Sequence, residues 1–212
     1  ARQPLFVAYY RRALPYFVKA RELLDAGAIG TPLTVEVRYL RPAAPEDRDA
    51  AHLPWRLRRE TGGEGYFCDM APHTLDILDF LLGEIDYAQG CAVNRGGLYE
   101  VADTVTASFR FRSGVAGTGT WCFVAPEAER ADSIRITGSR GTLHLTTFSF
   151  EPLELTTPAG TERFAFEQPE HIQGPLIGTI VDELRGVGQC PSTGVSAART
   201  SRVMDLILRG EA

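Results

Sequence analysis

The sequence predicts an α+β domain built around a mostly antiparallel sheet. Apolar residues recur with helical spacing in two segments of the first 82 residues and in two segments near the C-terminus. Between them, about 85 residues form short alternating segments separated by turn residues. Strands in succession, with helices before and after, favour this arrangement over alternating βαβ units.

The first third of the chain is predicted to contain two strands and one helix. Residues 4–10, PLFVAYY, are an apolar run typical of a short strand. LPYFVKARELLDAGAIG has an apolar helical face, with Pro15 in the first turn and Gly27 at the C-terminal end. TPLTVEVRYL alternates from Thr34 onward and predicts the second strand. Residues 41–60, rich in proline and charge, predict a loop with a turn of helix.

The remainder is predicted to be a helix, a series of strands and two closing helices. The helix spans 67–82 and ends at Gly83. In ADTVTASFRFRSG apolar and polar residues alternate, which is typical of a half-buried strand. VAGTGTWCFVA, SIRITGSRGTLHLTTF, LELTT and TERFAFEQ continue the sheet, with GSRG at 138–141 as a tight connection. The closing helices are expected at 175–186 and 196–209.

Composition narrows the class of protein. A chain of 212 residues with 44% hydrophobic and 23% charged residues is ordinary for a soluble globular domain. The net charge of -5 argues against nucleic-acid binding, and no apolar stretch is long enough for a membrane span. The cysteines are scattered without a CxxC pair, so reduced thiols in a cytoplasm are the simplest interpretation.

The segment GGEGYFCDMAPHTLD, residues 62–76, carries the clearest candidate chemistry. On a helix, Asp69, His73 and Asp76 lie at i, i+4 and i+7 and share one stripe. Histidine exchanges protons near neutral pH, and a nearby carboxylate can orient its ring. Spacing alone favours a plainer interpretation, in which the stripe faces water and Asp69 starts the helix.

Local details favour a site. If Asp69 were the N-cap, its carboxylate would accept a hydrogen bond from the backbone N–H two or three residues later. The residue three positions later is Pro72, which has no backbone N–H. The glycines before the helix allow a close approach of the backbone or a positive φ. Asp69 and His73 alone would supply only two metal ligands, and the other histidines are distant in sequence, so no metal site is predicted.

The order of these motifs resembles the C-terminal domain of the Gfo/Idh/MocA family, named for glucose-fructose oxidoreductase, inositol dehydrogenase and rhizopine catabolism. The family pattern GG-x-x-x-D-x-x-x-H-x-x-D is matched, with altered glycine placement, by Gly63, Gly65, Asp69, His73 and Asp76. VAYYRRALPYFVKARELLDAGAIG, LPWRLRRETGG, ITGSRGTL and PSTGVSAARTSRVMDLIL resemble further family segments. The resemblance covers nearly the whole chain.

The resemblance implies an open, mostly antiparallel β-sheet with helices packed on one face. It implies the catalytic half of an NAD(P)-dependent oxidoreductase acting on a sugar, polyol or related hydroxy or keto compound. His73 would accept or donate the proton at the reacting group, and Asp69 would assist it and contact substrate. Hydride would pass to or from NAD or NADP held by a separate N-terminal Rossmann domain. The other sheet face would join subunits of a homo-oligomer.

The chain departs from the whole-family pattern at its N-terminal side. It contains no GxGxxG turn and no Glu-Lys-Pro motif, and its only lysine, Lys19, lies on the first helix. Residues 1–12 resemble the last strand and junction of a Rossmann domain. We therefore expect residues 1–212 to be a single C-terminal domain that binds no cofactor by itself.

Residues around the motif are candidates for ligand contacts. By resemblance, Arg11 is assigned to substrate and Arg12 to the cofactor, although a solvated arginine pair explains them equally well. Tyr10 is a weaker candidate for substrate. Trp55 and Arg56 would line a sugar site, because a flat aromatic ring suits a sugar face and a guanidinium suits hydroxyls. A tryptophan that closes the edge of the core is the alternative.

Two functions of other classes stay open. A stand-alone sugar-binding or oligomerisation domain would carry the acid–histidine pair without using it. A metal-dependent isomerase or lyase would need two or more further ligands near His73. The sequence leaves the substrate, the choice between NAD and NADP, and the direction of reaction open.

Overall fold

The computed structural model describes residues 3–209, which form one eight-stranded sheet with helices packed against it. The helices are α1 (Pro15–Asp25), α2 (Arg59–Gly62), α3 (Tyr66–Leu82), α4 (Gly174–Leu184) and α5 (Gly194–Arg209). The strands are β1 (Pro32–Leu40), β2 (Ile85–Val93), β3 (Thr104–Phe111), β4 (Ala116–Cys122), β5 (Ala131–Gly138), β6 (Thr142–Leu145), β7 (Leu153–Thr157) and β8 (Gly160–Phe164). The loop between β1 and α2 contains two 3₁₀ turns.

The sheet runs in the order β2-β3-β4-β1-β5-β6-β7-β8. Only the β1–β4 pair is parallel; the other neighbouring strands among the described residues are antiparallel. Strand β1 precedes α3 in the sequence but lies in the sheet between β4 and β5, which follow α3. In this position β1 is parallel to β4 and antiparallel to β5. The predicted fold class, an open and mostly antiparallel α+β sheet, is confirmed.

The core lies between the helices and one face of the sheet. On β3, Val105, Ala107 and Phe109 are buried whereas Thr106 is exposed, as the alternation predicts. Helix α5 packs on β2 and α3. Gly90 on β2 allows this approach, since a Cβ there would lie only 2.6 Å from a side-chain carbon of α5.

Helix α3 starts from a turn that requires glycine. Gly65 has φ 72° and ψ -150°, a backbone conformation open essentially to glycine alone. A Cβ at Gly65 would also lie 2.7 Å from a methyl carbon of Val101. The helix therefore begins at Tyr66, and Asp69 is not its N-cap. This part of the plainer interpretation is wrong.

The strand predicted over residues 4–10 is not formed. Phe6 makes one isolated antiparallel bridge to Thr193, and Tyr10–Ala13 is a 3₁₀ turn. This segment lies beside the short connection before α5 and exchanges only a few backbone hydrogen bonds with it, at Ser192 and Gly194. These are too few for the regular hydrogen-bond pattern of a β-strand pair. Residues 1 and 2 of the predicted domain junction lie outside the described residues.

Candidate active site

His73 lies on α3, in a half-buried setting of aromatic rings. The rings of Tyr9, Tyr10 and Phe148 have centroids 5.8, 6.0 and 6.2 Å from that of His73. Its Nδ1 is buried and has no hydrogen-bond partner among the described residues. The other ring nitrogen, Nε2, is therefore the candidate for a ligand contact.

These surroundings determine the charge of His73. Burial first, and then the positive charge of Arg11, lower the pKa of His73 to about 4, while the charge of Asp69 acts in the opposite direction. The imidazole is therefore neutral near pH 7, which is the form that can accept a proton.

We expect the free energy of unfolding to rise with pH between about 4 and 6.5 because of His73. Unfolded histidine binds a proton below pH 6.5, whereas folded His73 does so only below about 4, so the unfolded state holds more protons in this window. The contribution is complete above pH 6.5 and is lost as pH falls through about 4. Urea unfolding across this range should show a weaker pH dependence for His73→Asn than for the unmodified chain.

The matched control is His171→Asn, at an exposed histidine in the loop before α4. It should not reproduce the effect of His73→Asn. An unchanged pH dependence in His73→Asn would show that burial does not hold this ring neutral.

Asp69 is one helical turn before His73 and is paired with the loop that carries Trp55. Arg56 Nε donates to Asp69 Oδ2 at 2.6 Å. The Arg56 guanidinium also stacks on the Trp55 ring, with its carbon 4.6 Å from the ring centroid. Trp55 is 53% exposed and thus does not close the core. The three side chains form a partly exposed surface next to the histidine.

Arg11 is almost fully buried beside the same ring cluster. Its guanidinium carbon lies 4.8 Å from the Tyr10 ring centroid and 4.6 Å from that of Phe148. Nε donates to the backbone carbonyl of Thr147 at 2.8 Å, whereas Nη1 is buried without a partner among the described residues. Burial is the largest influence and lowers the pKa of Arg11. The solvated-arginine interpretation is wrong for this residue.

A carboxylate from the sheet holds Phe148 in place. Asp132, on β5, accepts backbone N–H bonds from Thr147, Phe148 and Ser149 at 2.9, 2.6 and 2.8 Å. Such a set of bonds fixes the chain direction after β6. It thereby fixes one aromatic wall of the site.

Arg12, in contrast, is used inside the domain. It is 5% exposed, and its Nε and Nη2 donate to the two carboxylate oxygens of Asp76, each at 2.8 Å. Nη2 also donates to Asp79 at 2.9 Å, and Nη1 to the Pro191 carbonyl at 3.3 Å. Asp79 is held from its other side by Arg199 at 2.6 and 2.8 Å. We call Arg12, Asp76, Asp79 and Arg199 the buried ionic cluster.

This cluster gives Arg12 a structural role and corrects one sequence-based interpretation. The described contacts of Arg12 use its donors within the chain, and its predicted contact with cofactor stays a prediction. Asp76 was placed on a possible water-facing stripe and is instead 1% exposed. By holding Arg12, Asp76 fixes the adjoining turn that carries Tyr10 and Arg11.

Most of the predicted site residues are brought together, and the structure adds others. His73, Tyr10 and Arg11 form one set of contacts, and Trp55, Arg56 and Asp69 form a second. The charge of Asp69, one helical turn from His73, acts on the histidine between the two sets. Tyr9, Phe148 and Asp132 were missed. The sequence gives no spacing signal for Phe148 or Asp132, which reach the site only through the sheet.

The described residues were also compared with the requirements of a metal site and of a membrane-spanning helix. Within residues 3–209, no three His, Cys, Asp or Glu side chains are grouped so as to hold a metal ion. None of the described helices combines the length and apolar character needed to cross a membrane.

Comparisons with known proteins agree with the fold and the motif order. Residues 17–144 match the family model described as the GFO/IDH/MocA C-terminal domain. Oxidoreductase P35 of Formosa agariphila is 32% identical over 204 residues, which cover 94% of this chain and 61% of that protein. 1,5-Anhydro-D-fructose reductase of Ensifer adhaerens is 26% identical over 182 residues, covering 82% of this chain and 52% of that protein.

A solved structure shares the architecture. A levoglucosan dehydrogenase in complex with NADH and levoglucosan has a TM-score of 0.77 and 18% identity, covering 94% of this chain and 62% of that one. At 18% sequence identity, this similarity shows a shared fold only. The chain spans 52% to 62% of the length of these three proteins.

Proposed function

The chain belongs to the Gfo/Idh/MocA oxidoreductase family, and on that premise we propose that it is the substrate-binding and catalytic half of an NAD(P)-dependent enzyme. The substrate class is a sugar, polyol or related hydroxy or keto compound. The relatives that act on anhydrofructose and levoglucosan support this class. The four cysteines are free, which suits a reducing cytoplasm.

The observation that carries the proposal is a neutral, half-buried histidine among aromatic rings with a carboxylate one helical turn away. Oxidation of an alcohol releases a proton from the hydroxyl, and reduction of a carbonyl requires one. His73 Nε2 would take or give this proton. Asp69 would contact substrate and offset the positive charge that His73 gains.

The surrounding side chains would position the substrate. Trp55 offers an exposed flat ring for a sugar face, and Arg56 lies between that ring and Asp69. Tyr10 and Arg11 would border His73 from the 3₁₀ turn, where Arg11 Nη1 lacks a partner among the described residues. With these roles, the reacting hydroxyl would lie between the loop and the 3₁₀ turn.

The cofactor would be held by another domain of the parent protein. The sequence has no glycine-rich phosphate-binding turn, which fits a chain that binds no dinucleotide by itself. A bound nicotinamide would supply hydride transfer. This chain would orient the alcohol or carbonyl, exclude water with its aromatic rings and move the proton.

Turnover of the full-length gene product tests the proposal. NAD(P)H absorbance should change with at least one member of a panel of sugars and polyols. The same panel with this chain alone should give no turnover. An inactive full-length protein that still binds sugars would support the stand-alone binding domain instead.

We also propose a homo-oligomer through the outer face of the sheet. Thr106 and Ser108 on β3 and Thr118 on β4 occupy adjacent positions there, and Glu36 of β1 lies beside Thr118. We expect Thr118→Arg to shift the protein to monomer in sedimentation velocity, because its long side chain would hold a second sheet away from this face. Thr161→Arg, on the edge strand β8, is the control. Monomer for the unmodified protein at high concentration would contradict the proposal.

A further inference from the structure

Asp47, in the loop between β1 and α2, is a fully buried carboxylate. Tyr66 OH donates to its Oδ1 at 2.5 Å, and the backbone N–H of Ala44 donates to its Oδ2 at 2.8 Å. The Arg41 guanidinium lies 3.7 Å from the same Oδ2. Burial of a carboxylate is costly unless such partners offset it, so Asp47 stays where these groups meet it.

These contacts join the loop to two other parts of the molecule. Arg41 directly follows β1, and its guanidinium carbon lies 4.1 Å from the centroid of the Tyr66 ring. Tyr66 is the first residue of α3, the helix that carries Asp69 and His73. Asp47 therefore holds the loop against both the end of a central strand and the beginning of this helix.

The remaining contacts of the loop are weaker. An open cleft of about 430 Å³ adjoins residues 50–60 and separates them from the segment before β3. Arg56 is paired with Asp69 of α3, but both side chains are partly exposed, and water screens such a pair. Leu57 is buried next to Arg56, so the firm contacts of the loop are those of Asp47 at its start and Leu57 at its end.

We propose that Asp47 is a positioning residue of the candidate active site, which fixes Trp55 and Arg56 relative to α3. The inference rests on the proposed function, in which these two side chains contact the substrate. None of the described hydrogen bonds of Asp47 is with Asp69 or His73, so it acts through the loop. A loop held at this place keeps the ring of Trp55 and the guanidinium of Arg56 beside the carboxylate of Asp69.

Two variants of the full-length protein test the inference. Asp47→Asn keeps the size of the side chain but leaves one acceptor oxygen where the structure uses two. Tyr66→Phe removes the hydroxyl that joins α3 to the loop and leaves the carboxylate in place. In both variants we expect KM for the sugar or polyol to rise about tenfold, while kcat changes much less. The reason is that Trp55 and Arg56 would bind the substrate in the ground state as well as in the transition state.

A matched control separates positioning from a general loss of stability. Asp103 is also fully buried, and its carboxylate accepts backbone N–H bonds from Arg95 and Gly96, outside the loop that carries Trp55. Asp103→Asn should lower the free energy of unfolding but leave KM unchanged. The inference would be overturned by an equal rise of KM in Asp103→Asn, or by an unchanged KM in both Asp47→Asn and Tyr66→Phe.

Hydrogen exchange, followed by mass spectrometry, measures the anchor without turnover. Residues 47–58 should exchange faster in Asp47→Asn and in Tyr66→Phe than in the unmodified protein, because the loop opens more easily. Unchanged exchange in both variants would show that Asp47 does not hold the loop and would overturn the inference. Faster exchange in a protein that neither binds nor turns over any sugar would instead remove the proposed function, and the positioning role with it.

Discussion

Replacing His73 with alanine in the full-length protein is expected to lower kcat by roughly 10²–10⁴-fold, the usual contribution of a general acid or base. Burial lowers the pKa of the ring to about 4, so the ring is neutral at pH 7 and can accept the hydroxyl proton, as a weaker base than a free histidine. KM should change much less than kcat, since proton transfer is completed only in the transition state. The measurement is NAD(P)H absorbance with the best substrate of the panel.

His171→Ala is the control, because this exposed histidine lies outside the aromatic cluster around His73. It should retain the unmodified rate. If His73→Ala also retained that rate, His73 would not be the proton-transfer group, and its aromatic setting would be structural.

Removing Asp76 is expected to cost about 3–5 kcal/mol in the free energy of unfolding, as is typical when one partner of a buried ion pair is deleted. In Asp76→Ala, two donors of Arg12 lose their carboxylate acceptors at a position that is 5% exposed. Asp79 remains as a partner but is shared with Arg199. Urea unfolding at about pH 7.5 measures the loss, at a pH where carboxylates are ionised.

The exposed pair Arg21–Asp25 provides the matched control. Its atoms also approach to 2.8 Å, but the two side chains are 41% and 60% exposed. Asp25→Ala should cost only about 0.5 kcal/mol or less, because water screens the pair and replaces the lost contact. Similar costs for Asp76→Ala and Asp25→Ala would show that the buried ionic cluster adds nothing beyond a surface pair.

Much of the fold could be predicted because its signals are local. The alternation in β3 and the apolar period of α3 are readable within one segment, and both elements form as expected. The insertion of β1 between β4 and β5 is not local, since it depends on pairings with strands made much later. The segment 4–10 has strand-like composition, but no adjacent strand is available to complete a ladder.

The same distinction applies to the site. Asp69 and His73 are four residues apart, so helical periodicity alone brings them together. Phe148 reaches His73 only because Asp132 fixes the chain after β6, and no spacing in the sequence encodes that contact. The structural role of Arg12 was missed for a similar reason. From the sequence alone, two adjacent arginines are expected to be solvated or to bind a ligand. Asp76 and Asp79, which surround Arg12 in the fold, lie 64 and 67 residues away in the sequence.

The buried ionic cluster also determines when the domain can be completed during synthesis. Arg12 is made before Asp76 and Asp79, and Arg199 follows them with helix α5. Until α5 has left the ribosome, Asp79 lacks its second arginine and β2 lacks the helix that covers it. A nascent chain truncated before α5 is therefore expected to hold the turn beside His73 loosely. The order of translation is therefore expected to make the surroundings of His73 one of the last parts of this domain to become rigid.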